Sequence, residues 1–278
     1  MNGINVNELT VKIKQKRTLR SLPDFFVRKE IAEYLGKHPD AGWREVFKFV
    51  RRKLHESYGA FQTRRKKKRY LYLEELEIVK EENGDKITRD GVVEEIRERI
   101  LRTSVSSRER LEADYKNLYS QIRSVVGKFH SIMDLGSGIN PVSFEPVEFR
   151  DVKIYSYDID KNDTAFLNDY FKVMDLDGEA RVLDIHDLDR VGKLPQVDVC
   201  LLFKVIDPLE RRGHEFSEML IERIRAKYII VSFATKTITR RAMNHPQRGW
   251  FERMVTRLGM KFKTIRTKNE IYYLVKKT

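Results

Sequence analysis

The 278-residue sequence predicts an α/β fold: an all-helical N-terminal domain precedes a largely parallel β-sheet that ends in an antiparallel hairpin. Three observations lead there. Apolar residues recur at helical spacing, without strand-like runs, as far as about residue 126. From Gly127 onward, short β-rich runs alternate with helical patterns. The last twenty residues read as two strands around a tight turn.

Taken in order, residues 24–35 carry Phe25, Phe26, Ile31, Tyr34 and Leu35 close to helical spacing, and Gly36 with Pro39 supplies a stop. Asp40 is placed to cap the next segment, where Trp43, Val46, Phe47, Val50 and Leu54 form one apolar stripe. Six consecutive cations follow, Arg64, Arg65, Lys66, Lys67, Lys68 and Arg69. Helical patterns resume at 70–80, turn at Asn83-Gly84-Asp85 and continue through 92–101. Residues 107–126 are expected as one helix with Leu111, Tyr115, Leu118, Ile122 and Val125 on one face. Beyond Gly127 the expected strands are 131–135, 153–157, 180–185, 197–203 and 228–233. Helices are expected at 165–174, 209–226 and 249–258. Strands alternating with helices argue for a parallel sheet covered on both faces. The hairpin is expected from 260–266 and 271–277 around Thr267-Lys268-Asn269. The domains are therefore expected as a basic helical unit, 1–105, and a sheet unit, 106–278.

Charge is unevenly spread. The net charge is +13, and residues 1–126 carry 29 Lys and Arg against 20 Asp and Glu, whereas 127–278 carry 26 against 22. A basic front half favours a polyanionic partner, because neutralising phosphates releases condensed counterions. A heat-adapted surface rich in Lys, Arg and Glu is the alternative. No apolar run approaches the roughly 20 residues needed to cross a bilayer, and residues 1–16 lack the apolar block of a secretory signal. A cytoplasmic protein with no membrane partner is expected. The single cysteine, Cys200, excludes an internal disulfide. His55 and His130 lack metal-ligand spacing, so no metal is expected.

The chemistry concentrates in Asp134-Leu135-Gly136-Ser137-Gly138, a buried strand running into a glycine turn. Glycine at 136 and 138 lets the backbone turn sharply and approach a ligand. A carboxylate at Asp134 suits an ammonium group or its ordered water. About 20 residues on, Asp158, followed by Ile159, ends the second strand and can accept both hydroxyls of a ribose. Asp187, after the third strand, is placed to accept from an adenine amino group. A glycine turn by itself also fits a nicotinamide cofactor, but the third glycine of that fingerprint is absent. So is a phosphate-cradling loop. Three acids at successive strand ends favour S-adenosylmethionine.

Several further segments resemble one family, the aminoglycoside-resistance methyltransferases that act on guanine N7 in the decoding site of small-subunit (16S) rRNA. They are Leu54–Phe61 (LHESYGAF), Ser106–Leu111 (SSRERL), Asp134–Pro141 (DLGSGINP), Leu201–Arg211 (LLFKVIDPLER), Val231–Lys236 (VSFATK), Asn244–Glu252 and Glu270–Lys277. They run in order from about residue 50 to the end. The resemblance implies a Rossmann-like class I methyltransferase sheet with S-adenosylmethionine as cofactor, contacted by Gly136, Asp158, Asp187 and Phe203. It implies that the loop Ser106-Ser107-Arg108-Glu109-Arg110 closes over the methionine end, with Arg110 toward the carboxylate. The helical front would dock small-subunit rRNA, on an assembled subunit, and antibiotic resistance is the associated expectation.

Guanine N7 is a lone-pair nucleophile with no proton to lose, so its methylation needs placement rather than a general base. Carbon-5 pyrimidine methylation would need a thiol, and Cys200 lies mid-strand, where an inert buried thiol is the better reading. The Asn/Asp-Pro-Pro-Tyr/Phe element of exocyclic amine methylation is absent. The base must be held outside its stack, typically by an aromatic or guanidinium plane. Trp250 is expected there, with a core Trp as the alternative. Lys204 is expected to face the transfer site, with a snorkelling lysine as the alternative. Arg64–Arg69, Lys236, Arg240, Arg241 and Arg248 are expected on RNA. A methyltransferase of another RNA such as tRNA, and a non-catalytic ribosome-binding protein of the same fold, remain alternatives. A monomer is expected.

Overall fold

A computed structural model of the chain describes residues 4–83, 91–209, 213–236, 243 and 246–277. The helices are α1 (Val6–Lys14), α2 (Asp24–Lys37), α3 (Trp43–Ser57), α4 (Arg69–Asn83), α5 (Gly91–Leu101), α6 (Val105–Leu111), α7 (Tyr115–Val126), α8 (Pro146–Phe149), α9 (Lys161–Val173), α10 (Leu188–Val191), α11 (Ile206–Leu209), α12 (Glu215–Arg223) and α13 (Gly249–Arg257). The strands are β1 (Ser131–Leu135), β2 (Lys153–Asp158), β3 (Gly178–Val182), β4 (Val197–Phe203), β5 (Ala226–Ala234), β6 (Lys261–Arg266) and β7 (Glu270–Lys276). They form one sheet in the order β3-β2-β1-β4-β5-β7-β6. The first five are parallel, with Ile132 beside Ile154 and Val199, while β7 runs antiparallel to both β5 and β6. This is the expected α/β architecture with its terminal hairpin. The strand order reverses between β1 and β4, so a crevice forms beyond their carboxyl ends, where open α/β sheets bind ligands.

The central strands are apolar almost throughout, as parallel strands covered on both faces must be. One face is covered by a core that joins Leu73 and Leu76 of α4, Ile96 and Ile100 of α5, Leu118 and Ile122 of α7 and Phe166 and Tyr170 of α9 to the sheet. The other face packs against Leu220 and Ile221 of α12 and Phe251 and Val255 of α13. A third core, with Leu9, Ile13, Val27, Ile31, Val46, Val50 and Leu54, belongs to α1–α3 and reaches the sheet unit at Ile159. Helices α4 and α5 thus share the sheet's core rather than that of the front helices.

Several expected boundaries move. The single helix expected over 107–126 is two, because the chain turns at Asp114, whose φ is 71°. Its carboxylate caps α7 by accepting from the Asn117 N–H at 3.1 Å. The helix expected over 209–226 becomes α11 and α12. Strand β3 starts at Gly178, two residues before the expected run. Helix α1 was not expected: Leu9, Thr10 and Ile13 are its buried residues, too few to show in the sequence. Asn83, the first residue of the expected turn, ends α4, while Gly84 and Asp85 and the Glu210–Arg211 part of the fourth-strand motif lie outside the described residues. No described helix is long and apolar enough to cross a membrane.

Candidate active site

The glycine turn closes onto the end of β2. The N–H groups of Gly136 and Ser137 both donate to the Tyr157 carbonyl, at 2.8 and 3.1 Å. Gly136 has φ 72°, and a Cβ there would stand 2.5 Å from Val205 Cγ2, so the position is closed to other residues both conformationally and sterically. Gly138, φ 50°, donates its N–H to Asp158 Oδ2 at 2.8 Å, while the Asp160 N–H donates to Oδ1 at 2.8 Å. Both carboxylate oxygens of Asp158 are thereby aimed by backbone donors and keep lone pairs for a further partner. Burial, with the Asp163 and Asp160 carboxylates behind, pushes the Asp158 carboxyl up to about 7.

A cavity of about 220 Å³ lies over this turn. Of the residues expected at the cofactor, it brings together Ser106, Ser107, Arg110, Gly136, Ser137, Gly138, Asp158, Ile159 and Phe203, with Lys204 at the same mouth. Arg110 is almost wholly buried. Its Nε donates to Glu270 at 2.9 and 3.2 Å, its plane lies 4.8 Å from the Phe203 ring centroid, and its Nη2 has no partner. The Ser137 hydroxyl is likewise buried and unpartnered. Lys204, at φ 58°, donates to Glu109 at 2.5 Å and lies 3.1 Å from Glu270. Glu270 also accepts from the Ser232 hydroxyl at 2.7 Å. Although it is buried, the neighbouring Arg110 and Lys204 hold its carboxyl below the usual range.

Other expected residues sit elsewhere. Asp134 is buried beneath the turn and does not line the cavity. Its Oδ2 accepts from Asn140 Nδ2 at 2.8 Å, so it holds the backbone that follows the glycines, and burial raises its carboxyl to about 7. Asp187 caps α10, accepting from the Arg190 N–H at 3.1 Å; of the acids that follow β3, the one on the cavity wall is Asp184, three residues earlier. Trp250 also lies off the cavity. Its ring stacks on His214 at 3.8 Å and meets Phe233 and Phe251 edge to face, the packing of a core aromatic. Arg248 is buried against Asp207 at 2.9 Å and over Phe233, so it is not offered to a phosphate. Lys236 is half-buried, and Arg240 and Arg241 lie outside the described residues.

The six-cation run divides. Arg64, Arg65, Lys67 and Lys68 are exposed, whereas Lys66 and Arg69 turn inward onto Asp160 and Asp163 at the head of α9. The charge run carries no apolar periodicity, so the sequence held no signal for this split. Glu270 was missed too, although an acid opening the apolar run Ile271–Val275 is the kind of buried charge that demands a partner.

The seven-stranded order, the crevice beyond β1 and β4 and the glycine turn define a Rossmann-like class I methyltransferase, the class that uses S-adenosylmethionine. The unpartnered Arg110 Nη2 suits a carboxylate, the Asp158 oxygens suit two hydroxyls, and Gly136 and Gly138 leave room for close approach, so the residues present fit that cofactor. Residues 27–274 match the family described as ribosomal RNA methyltransferase (FmrO), and the chain belongs to it. It is 26% identical to a 16S rRNA (guanine(1405)-N(7))-methyltransferase of Proteus mirabilis, over 99% of this chain and 98% of that one. A protein of the same description from Frankia casuarinae is 26% identical over 84% of this chain and 80% of its own. Among solved structures, the 16S rRNA methyltransferase RmtF in complex with S-adenosyl-L-homocysteine shares the fold, with a TM-score of 0.78, 22% identity and coverage of 99% of this chain and 100% of that one. The 16S rRNA methylase RmtB follows at 0.71 and 21%, covering 99% of each chain.

Proposed function

We propose that the chain methylates N7 of a guanine in the decoding site of small-subunit rRNA, acting as a cytoplasmic monomer on assembled or nearly assembled subunits. The family match across residues 27–274 carries this reading. Bound in the cavity, S-adenosylmethionine supplies an electrophilic methyl group. Arg110 Nη2 holds the methionine carboxylate, with Ser106, Ser107 and Ser137 beside it. Asp158 accepts from the ribose, and charge-assisted acceptance of this kind is roughly twice as strong as between neutral groups. Gly136, Gly138, Ile159 and Phe203 wall the site, and Asp184 is the acid at the end expected to take adenine. Guanine N7 has no proton to lose, so the protein's task is to place the base and exclude water. Lys204, fixed between Glu109 and Glu270, sits at the mouth where the base arrives.

Residues 1–105 are proposed to dock the RNA and 106–278 to carry out transfer. The exposed Arg64, Arg65, Lys67 and Lys68 provide phosphate contacts, with Lys236, just past the end of β5, as a further one. The test is incubation with labelled S-adenosylmethionine and, separately, small subunits, naked 16S rRNA and tRNA. N7-methylguanine is then mapped by chemical cleavage and reverse-transcription arrest. One arrest in the decoding region is expected. Label confined to tRNA would overturn the rRNA assignment. Subunit binding without binding of S-adenosylhomocysteine would favour a non-catalytic ribosome-binding protein.

A further inference from the structure

The head of α9 carries two acids that the cofactor reading does not use. Asp160 is fully buried. Its Oδ1 caps the helix, accepting from the N–H groups of Asn162 and Asp163 at 2.9 and 3.2 Å. Its Oδ2 accepts from three donors of the front helices and the cation run: Ser21 Oγ at 3.0 Å, the Tyr58 hydroxyl and Lys66 Nζ. Asp163, one turn on, faces Lys66 Nζ at 2.5 Å and Arg69 Nη1 at 2.6 Å, and Arg69 Nε donates to Thr103 Oγ1 at 2.7 Å. The Asp160 N–H, in turn, is one of the two donors that orient Asp158.

We propose that Lys66 is a positioning residue for the cofactor site: it acts through Asp160, whose N–H aims Asp158, to hold Asp158 toward the ligand, and so sets the affinity for the adenosyl group. The inference rests on reading Asp158 as the ribose acceptor. Asp158 is faced by two backbone donors, Gly138 and Asp160, and by the Asp160 and Asp163 carboxylates, which are faced by Lys66, Arg69, Ser21 and Tyr58. Two buried anions behind a third favour its protonation, and the Lys66 ammonium between Asp160 and Asp163 offsets that repulsion. A neutral Asp158 accepts more weakly from a ribose hydroxyl than an anionic one does. Removing the ammonium also takes one of the three donors from Asp160 Oδ2 and leaves Ser21 and Tyr58 on it, which loosens the carboxylate that anchors the β2–α9 turn. The six-cation run therefore has two jobs, with four cations turned to solvent and two turned to the cofactor site.

Raising the Asp158 carboxyl by one further unit from about 7 lowers its ionised fraction at pH 7 from about a half to about a tenth, a roughly fivefold loss of affinity. The experiment titrates S-adenosylhomocysteine into the full-length protein by calorimetry, with thermal melting of each unliganded variant as a folding control. Lys66→Met is expected to weaken binding about fivefold, Lys66→Arg to restore most of it, and Lys66→Met with Asp160→Asn to recover affinity because the excess anion is gone. Asn keeps the cap, so the double variant retains α9. A folded Lys66→Met protein with unchanged affinity overturns the proposal, as does a double variant no better than the single one. Asp158→Asn tests the underlying reading: normal binding by that variant would remove both claims, whereas lost binding by Asp158→Asn beside normal binding by Lys66→Met would remove only this one.

Discussion

Glu270→Gln is the sharpest test of how the transfer end of the cavity is held. The substitution preserves shape and removes one charge from a cluster that holds Arg110, Lys204 and Glu109. Arg110 and Glu270 are 4% and 1% exposed by side chain, so water cannot replace the lost partner. Arg110 would keep a neutral amide oxygen at position 270, the 3.4 Å contact from Nη1 to Asn140 Oδ1, Tyr115 and the Phe203 ring, but no anion, while Lys204 would keep Glu109. Breaking a buried pair from one side typically costs about 3–5 kcal/mol, because a charge is left without compensation. For a chain of this size each kcal/mol moves Tm by about 2–4 °C, so a fall on the order of 10 °C is expected. Thermal denaturation followed by circular dichroism at low and high salt reads it, and the fall should be nearly salt-independent, since a buried pair is poorly screened. Calorimetry should also show weaker binding of S-adenosylhomocysteine, because Arg110 is no longer aimed. A shift below about 2 °C, with unchanged binding, would refute the idea that Glu270 positions Arg110.

Two further outcomes follow from the charge distribution. Replacing Arg64, Arg65, Lys67 and Lys68 by Gln should weaken small-subunit binding and flatten its salt dependence by up to roughly four counterions, while the affinity for S-adenosylhomocysteine stays the same; filter binding across a salt series measures it, and an unchanged slope would remove these side chains from the interface. Burial alone would raise the Asp184 carboxyl, but hydrogen bonds from His186 and Lys29 outweigh it and hold it down to about 2. The stability this contributes is fully present above about pH 4 and is lost as pH falls toward 2, amounting to about 2 kcal/mol at most. Lys29→Met should lower stability at pH 7 by about 1 kcal/mol and flatten the fall between pH 4 and 2 in urea titrations. Parallel curves for the two proteins would contradict it.

Much of the fold was legible from residue order alone. The apolar runs of β1, β4 and β5 announce strands buried on both faces, and the turn Thr267-Lys268-Asn269 between two β-rich runs announces the hairpin. These patterns are local, and burial imposes them on every residue of the strand. The glycine turn and Asp158 were equally readable, because positive φ and close approach restrict the residue type at a single position. Asp184 and Asp187 both follow the third strand, and only the turn at 184–187 decides which carboxylate lines the cavity and which caps α10.

Tertiary structure alone decided what each charge does. Lys66 and Asp160 are 94 residues apart, as are Arg69 and Asp163, and Arg110 and Glu270 are 160 apart. A cation's spacing along the chain says nothing about a partner at that distance. Six adjacent cations therefore look alike in sequence, yet the packing of α4 on α9 turns two of them inward. Arg248 and Trp250 read as RNA contacts because they are basic and aromatic beside a basic loop, but Asp207, Phe233 and His214 occupy them. The sequence determined the sheet, the glycine turn and the family's motifs. Which side chains remain free to meet a cofactor or an RNA depends on pairings between distant segments, and those exist only once the chain is folded.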